Sequence, residues 1–466
     1  MVFNSLQFAA FLPLVWLVYR SLSGARQQNA WLVLASYVFY GWWDWRFLGL
    51  IVLSTVVDYG LARRMSDRAR PERRRLLMVS AVVNLGILAV FKYFGFFVGS
   101  AVDALNAVGL HANQPLLDIV LPIGISFYTF QTLSYTFDVA RGEVEPERDL
   151  VTFAAYVAYF PQLVAGPIER ASRLLPQLQA ERAPVSAPTI ESGLRLILLG
   201  LFKKVALADA VAPIVNDTFA SPSGTVATAI GVVAFSLQIY GDFSGYTDIA
   251  RGTSRLFGIE LVRNFRQPYL SRSVTEFWRT WHISLSDWLH RYLYVPLGGN
   301  RNGRLATYRN LMITMLLGGL WHGASWTFVL WGALHGLYLS GERWLGRAEP
   351  RGERRPVRPV EIPVVVTTFV VVTLTWVLFR ADTLGDAVDV FAGLASGSGR
   401  WRPEDLLLVG FVAAQLVAVD LVGRGQTLLS TSMQLPLVRG ISYGFAALSI
   451  VVWSGGGGNE FIYFQF

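Results

Sequence analysis

The chain holds five histidines and no cysteine. Thiolate nucleophiles, thiolate zinc sites and disulfides are therefore excluded, and imidazole is left as the group best suited to proton transfer near neutral pH. His322 has the most unusual sequence surroundings. It lies in Leu320-Trp-His-Gly-Ala-Ser325, and no Asp, Glu, Lys or Arg occurs from Met312 to Leu334. An ionisable group in so apolar a stretch is costly unless it is partnered, which makes His322 a candidate general base. The packing alternative is a hydrogen bond to Ser325 or to a carbonyl. His282 falls in 273–293, where Trp278, Trp281, His282, Leu285, Trp288, Leu289 and Tyr292 recur at helical spacing, with Glu276, Arg279, Asp287 and His290 on another face. That pattern predicts one amphipathic helix, capped by Ser273 with Glu276 as its reciprocal capping-box partner. His282 would be the ionisable group on its aromatic side, either a second site group or a hydrogen-bonded core histidine. His335 comes 13 residues after His322. On a continuous helix it would sit about 140° around and about 20 Å along, so the two do not share a metal. No metal site is expected; His335 reads as a supporting residue and His111 as a solvated one.

Two clusters accompany the histidines. Gln238-Ile-Tyr240-Gly-Asp242-Phe-Ser244-Gly-Tyr246-Thr-Asp248 gathers carboxylates and hydroxyls at the end of an apolar span, where Asp242, Ser244 and Tyr246 either line a substrate path or pair with Arg251 or Arg255. Phe160-Pro-Gln-Leu-Val-Ala-Gly-Pro167-Ile-Glu169-Arg170 is broken by Pro and Gly and ends in a possible ion pair. No G-x-S-x-G elbow, phosphate loop or dinucleotide fingerprint is present, so hydrolase triads, ATPase activity and hydride transfer have no support.

The elements that must position these groups are membrane segments. Of 466 residues 53% are hydrophobic and 15% charged, against about 25% charged in ordinary soluble domains. That excludes a soluble enzyme, a disordered chain and a nucleic-acid-binding module, despite a net charge of +8. Apolar runs are predicted as spans near 6–21, 30–43, 46–62, 76–98, 117–137, 150–166, 192–214, 225–241, 309–341, 362–379, 404–421 and 437–453. The stretch 309–341 is too long for one crossing and should break near Trp321-His322-Gly323. The first run ends in Arg20 rather than in a cleavage site, so it reads as a retained span and not as a signal peptide. Arginines cluster in 63–75 and 343–358, which places both loops in the cytoplasm and the N-terminus outside.

Taken together, these motifs resemble the membrane-bound O-acyltransferase (MBOAT) family, in the bacterial branch concerned with alginate O-acetylation and teichoic acid D-alanylation. The resemblance covers nearly the whole chain. It is carried by Met1-Val-Phe-Asn-Ser-Leu-Gln-Phe8, Phe160-Pro-Gln-Leu-Val-Ala-Gly-Pro167, Asp242-Phe-Ser-Gly-Tyr-Thr-Asp248, Phe277-Trp-Arg-Thr-Trp-His-Ile-Ser-Leu-Ser286, Tyr294-Val-Pro-Leu-Gly-Gly-Asn-Arg301, Leu320-Trp-His-Gly323 and Phe461-Ile-Tyr-Phe-Gln-Phe466.

The resemblance implies an all-α, polytopic bundle of about 11–12 membrane segments, with broken and re-entrant helices around an internal funnel or tunnel. It implies one integral-membrane domain with its catalytic core in about 120–345. In it His322 matches the family's catalytic histidine, and His282 matches a second polar position that is Asn in many relatives. Gln131, Trp281, Trp321, Ser325 and His335, with Asp242, Ser244 and Tyr246, are candidates to line the substrate path. The implied activity moves an acyl, chiefly acetyl, group from a cytoplasmic thioester across the inner membrane for O-acetylation of an extracytoplasmic polysaccharide. The co-substrate would be acetyl-CoA or an acyl carrier protein, with no permanently bound cofactor, and the partners an extracytoplasmic acetyltransferase and the lipid bilayer. The competing readings are direct acylation of a lipid or protein hydroxyl, and a transporter or flippase; no internal repeat supports the last.

Because the chain is naturally free of cysteine, single cysteines introduced at Ser66 and Ala348 should resist an impermeant thiol reagent in intact cells. Labelling of either from outside would reverse the orientation set by the arginine loops.

Overall fold

The computed structural model describes residues 1–113, 119–164, 166–346, 357–397, 399–423, 431–454 and 461–462. Most of the loop 343–358 and of the closing hexapeptide, and the start of the run 117–137, lie outside the described residues. The chain forms two compact units, one of residues 1–194 and 250–262, the other of 195–249 and 263–466. Among the described residues the regular structure is helical. Six helical stretches among the described residues are long and apolar enough to cross a bilayer: Ala25–Met65, Arg70–Ala107, Thr225–Leu256, Pro359–Arg380, Pro403–Gly423 and Pro436–Trp453.

The first unit contains α1 (Leu6–Ser21), α2 (Ala25–Asp44), α3 (Leu48–Met65), α4 (Arg70–Leu88), α5 (Phe94–Ala107), α6 (Ile125–Arg141), α7 (Leu150–Ala158), the one-turn α8 (Phe160–Leu163) and α9 (Ala171–Gln179). Apolar helices gain little from mutual burial in lipid, so polar clasps hold them together. Asp58 on α3 accepts from Ser80 Oγ at 2.6 Å and Asn84 Nδ2 at 2.9 Å on α4. Ser80 meets Thr136 of α6 at 3.1 Å. Gln131 does the same for α6 and α7, donating to the Tyr156 carbonyl while the Tyr156 hydroxyl donates to the Gln131 carbonyl. Its place is thus a helix clasp. Glu169 does not form the pair expected with its neighbour in sequence: its Oε1 accepts from the Val262 N–H at 2.5 Å, and Oε2 lies 4.0 Å from Arg173. Burial pushes this carboxyl, in a loop outside the spanning helices, up to about 7.

The second unit takes part of α10 (Ala187–Leu201), then α11 (Asp209–Ala220), most of α12 (Thr225–Leu256), α13 (Val274–Trp278), α14 (Ile283–Leu289), α15 (Gly303–His322), α16 (Trp326–Trp344), α17 (Ile362–Arg380), α18 (Leu384–Ala395), α19 (Pro403–Gly423) and α20 (Pro436–Trp453). The stretch 309–341 breaks where expected. α15 stops at His322, Gly323 to Ser325 run extended or bent, and α16 restarts at Trp326. The two helices then pack back to back because glycine lets their backbones touch. A Cβ at Gly332 would collide with the Met315 carbonyl, and one at Gly319 with the Phe328 carbonyl.

The motif Gln238–Asp248 is corrected. It is not the end of a span but the interior of the 32-residue α12. Gly245 lets α12 press onto α10, where a Cβ would come within 2.7 Å of the Gly200 carbonyl. Beside that contact a π-type turn, Phe202–Ala208, puts two consecutive lysines inward. Lys204 bridges Asp209 at 2.8 Å and Asp242 at 2.9 Å, and Lys203 binds Asp248 at 2.8 Å. Two lysines that the sequence reading did not weigh supply these cations, and Arg255 turns to Glu260 at 2.7 Å.

Gly332→Ala should lower the thermal unfolding temperature of the detergent-solubilised protein, at a cost of about 1–3 kcal/mol from overpacking. Gly86→Ala, where nothing lies within 4 Å of the added methyl, should be neutral or mildly stabilising.

Candidate active site

The segment carrying His282 is two short helices, not the single amphipathic helix predicted. α13 ends at Trp278, and His282 sits at φ 42° and ψ 56°, in the left-handed region, before α14 begins. The neighbouring strand of chain enforces this. Arg266 N–H donates to the Thr280 carbonyl at 3.0 Å, and Ile283 N–H donates to the Asn264 carbonyl at 2.9 Å. Ser284 N–H donates to Asn264 Oδ1 at 3.2 Å. In a continuous helix the amides of Ile283 and Ser284 would instead bond to residues 279 and 280. The aromatic periodicity survives the break, since Trp278, Trp281, Leu285 and Leu289 are all buried. Side-chain spacing therefore reported burial correctly while hiding the turn.

The start of α13 is held from two directions. Ser273 Oγ accepts from Glu276 N–H at 3.0 Å, as expected of an N-cap. Glu276, however, accepts from the Arg272 N–H at 2.7 Å and not from Ser273. Glu342 on α16 accepts from the Val274 N–H at 2.6 Å and the Thr275 N–H at 2.9 Å, satisfying the amides that the helix start leaves open.

His322 closes α15 and is 4% exposed. Its ring is walled by Trp321, Trp331 and Phe379, with centroids 5.1, 5.2 and 5.2 Å away. His282 is fully buried, edge-on to Phe243 at 4.7 Å and 5.9 Å from Trp321. The two imidazole centroids are 6.2 Å apart, though the residues are 40 positions apart in sequence. His282 lies outside the spanning helices, and burial pushes its imidazole down to about 3. It is therefore neutral at working pH, with one ring nitrogen to donate and one to accept.

His335 is a neighbour at one remove. Its Nδ1 accepts from the Trp278 indole N–H at 3.2 Å, which leaves the ring proton on Nε2, facing Thr375 Oγ1 at 3.0 Å. Both nitrogens are committed to protein. Trp331 stands between it and His322, 4.8 Å from the first and 5.2 Å from the second. Among the remaining candidates, Trp321 joins the two histidines. Trp281 packs against Phe265, Phe277 and Trp376. Ser325 pairs with Thr327 at 2.6 Å in the turn that opens α16. Asp242 also accepts from the Ile462 N–H at 2.7 Å, and Tyr246 stacks on Phe461 at 4.3 Å. Ser244 is buried beside them. His290 stacks on Tyr294, and His111 is exposed. Phe243, Asn264, Trp331 and Phe379 were not singled out from sequence. Their roles are contacts through space, and nothing in their local spacing signals them.

The second unit thus buries a pair of histidines among aromatic rings, 6.2 Å apart. Comparison with known proteins gives the family. The model of MBOAT, the membrane-bound O-acyltransferase family, matches residues 3–375. The chain is 43% identical to the protein named "Probable alginate O-acetylase AlgI" of Azotobacter vinelandii over 90% of this chain and 83% of that one. It is 35% identical to the peptidoglycan O-acetyltransferase of Helicobacter pylori over 86% of this chain and 80% of that one. With the teichoic acid D-alanyltransferase of Streptococcus thermophilus it shares 29% identity over 51% of this chain and 60% of that one. The chain belongs to the MBOAT family. It is a multi-pass integral membrane protein and an O-acyltransferase.

The left-handed turn sets a test of its own. Asn adopts that conformation readily and β-branched residues do not. His282→Asn should keep the unfolding temperature near that of the parent, whereas His282→Val should cost about 1–3 kcal/mol of stability from backbone strain.

Proposed function

We propose that the enzyme moves an acetyl group from a cytoplasmic thioester, acetyl-CoA or an acyl carrier protein, across the inner membrane for O-acetylation of an extracytoplasmic polysaccharide. An extracytoplasmic acetyltransferase receives the group and completes the transfer. The observation that carries the reading is the pair of buried imidazoles, His282 and His322, with centroids 6.2 Å apart. The printed names of the relatives, an alginate O-acetylase and a peptidoglycan O-acetyltransferase, support both the acetyl group and a glycan as its acceptor.

His322 takes the proton of the attacking hydroxyl as its oxygen bonds to the thioester carbonyl carbon. The C–S bond then breaks, and the thiolate leaves with that proton. His282, held neutral, orients the reacting group by a hydrogen bond. A catalytic carboxylate is not required. Asp242 is occupied by Lys204 and the Ile462 amide and serves to fix the walls of the site. Trp321 is shared by the two rings, and the other candidates, Ser244, Tyr246, Trp281, Ser325 and His335, stand in the packing around them. Gln131 belongs to the first unit and supports the helices there. Phe379 of α17, which walls His322, extends the working region past residue 345.

Purified His322→Ala, folded and inserted, should lose acyl transfer by about 10²–10⁴-fold, the usual contribution of a general base. Transfer at the parent rate would remove His322 from the mechanism. Deleting the gene for a co-occurring secreted acetyltransferase should abolish O-acetylation of the polymer while leaving thioester turnover by membranes detectable. Unchanged polymer acetylation would argue for direct acylation.

A further inference from the structure

Asn264 is fully buried, and both of its oxygens are engaged. Its carbonyl accepts from the Ile283 N–H at 2.9 Å and its Oδ1 from the Ser284 N–H at 3.2 Å. The Ser284 amide can only donate, so it fixes which end of the Asn264 carboxamide is oxygen. The NH2 group must then occupy the opposite side of the same plane. That Nδ2, buried, has no acceptor among the described residues. A buried donor left open is costly, and such groups in native proteins call for a ligand, water or catalytic explanation.

The place of this group matters. The two amides that Asn264 binds immediately follow His282, so Asn264 holds the left-handed turn. Its sequence neighbour Phe265 packs on Phe243 at 5.0 Å, and Phe243 in turn packs on His282 at 4.7 Å. Thr247 lies one helical turn beyond Phe243 on α12, and its Oγ1 is likewise buried without a partner among the described residues. Two polar atoms with open valence therefore sit on residues that neighbour, along the chain or the helix, the Phe265 and Phe243 rings leading to His282.

We propose that Asn264 is a substrate-binding residue: its carbonyl and Oδ1 lock the His282 turn, and its NH2 donates a hydrogen bond to the carbonyl oxygen of the acyl thioester. As the hydroxyl attacks, charge moves onto that oxygen, and a fixed amide donor stabilises it. The inference rests on the two-histidine reading of the site and adds the oxygen-binding group which that reading lacks.

The test compares two inhibitors built on the pantetheine arm common to coenzyme A and acyl carrier protein. S-acetonyl-pantetheine carries a ketone oxygen near the thioester position, and S-ethyl-pantetheine has none. In membranes containing the parent enzyme the ketone should inhibit acyl transfer at least tenfold more strongly than the thioether. Asn264→Asp keeps an acceptor for Ser284 and removes the NH2. It should bring the two inhibitors to equal potency and lower kcat by about 10²-fold, the effect of losing one oxyanion donor. Asn264→Ser, which can still accept from Ser284, serves if the buried acid prevents folding, and its ratio should fall the same way. A ratio near one in the parent, absence of inhibition included, overturns the proposal, as does a ratio preserved in both variants. If His322→Ala measured alongside transfers normally, the two-histidine reading fails instead, and the inhibitor ratio still reports on Asn264.

Discussion

Holding two imidazoles 6.2 Å apart inside a nest of indole and phenyl rings is the constraint on which the second unit depends. Neither ring reaches the other from the middle of a regular helix. One needs a helix that stops short, and the other needs a backbone bent into the left-handed region. α15 ends at His322 because Gly323 admits the Phe328 ring where a Cβ would collide with it. At His282 the turn is held by the backbone and side chain of Asn264. The break at His282 frees amides that would be costly to bury unpaired, and Asn264 serves them at Ile283 and Ser284, while Glu342 serves Val274 and Thr275 at the start of α13.

Packing then makes the geometry rigid. Trp331 touches both His322 and His335, and Trp376 stacks on Trp331 at 5.7 Å. Aromatic rings suit this role because they fill large volumes with few rotatable bonds. His335, with both nitrogens bonded, locks Trp278 to α17 through Thr375. The lysine–carboxylate cluster joins Lys203, Lys204, Asp209, Asp242 and Asp248. Breaking one partner of so buried a set would strand a charge, which is far more costly than the intact pair is stabilising. Function and stability are joined here: Asp242 lies one residue from Phe243, which is edge-on to His282.

Much of this was legible in the sequence, and the failures have a common cause. The long run 309–341 exceeded one bilayer crossing, so a break followed from length, and Gly318, Gly319 and Gly323 put it near Trp321-Gly323. The N-cap role of Ser273 followed from its spacing to Glu276, and the burial of Trp278, Trp281 and Leu285 from their period. The period did not reveal that the helix beneath was interrupted, because a turn of four residues restores nearly the same phase on either side. The identity of Glu276's partner was missed for the same reason: one position in a cap is decided by the chain that approaches it. Lys203 and Lys204 sit in an apolar run that reads as uninterrupted helix. Only the π-type turn shows why both point inward to acids some forty residues away. Asn264, in Val262-Arg-Asn-Phe-Arg-Gln-Pro268, looks like an ordinary loop residue until Ser284 is seen beside it.

The central claim is that His282 and His322 act on one reacting group as a unit, and a double-variant cycle addresses it most directly. His282→Gly removes one imidazole while retaining a residue at ease with positive φ, and His322→Ala removes the other. Acyl transfer is measured for each variant and for the two combined, at matched membrane expression. Residues that work as a unit are strongly non-additive. The account predicts that the double variant is about as slow as His322→Ala alone. If the two losses instead multiply, the histidines act independently and their proximity is packing.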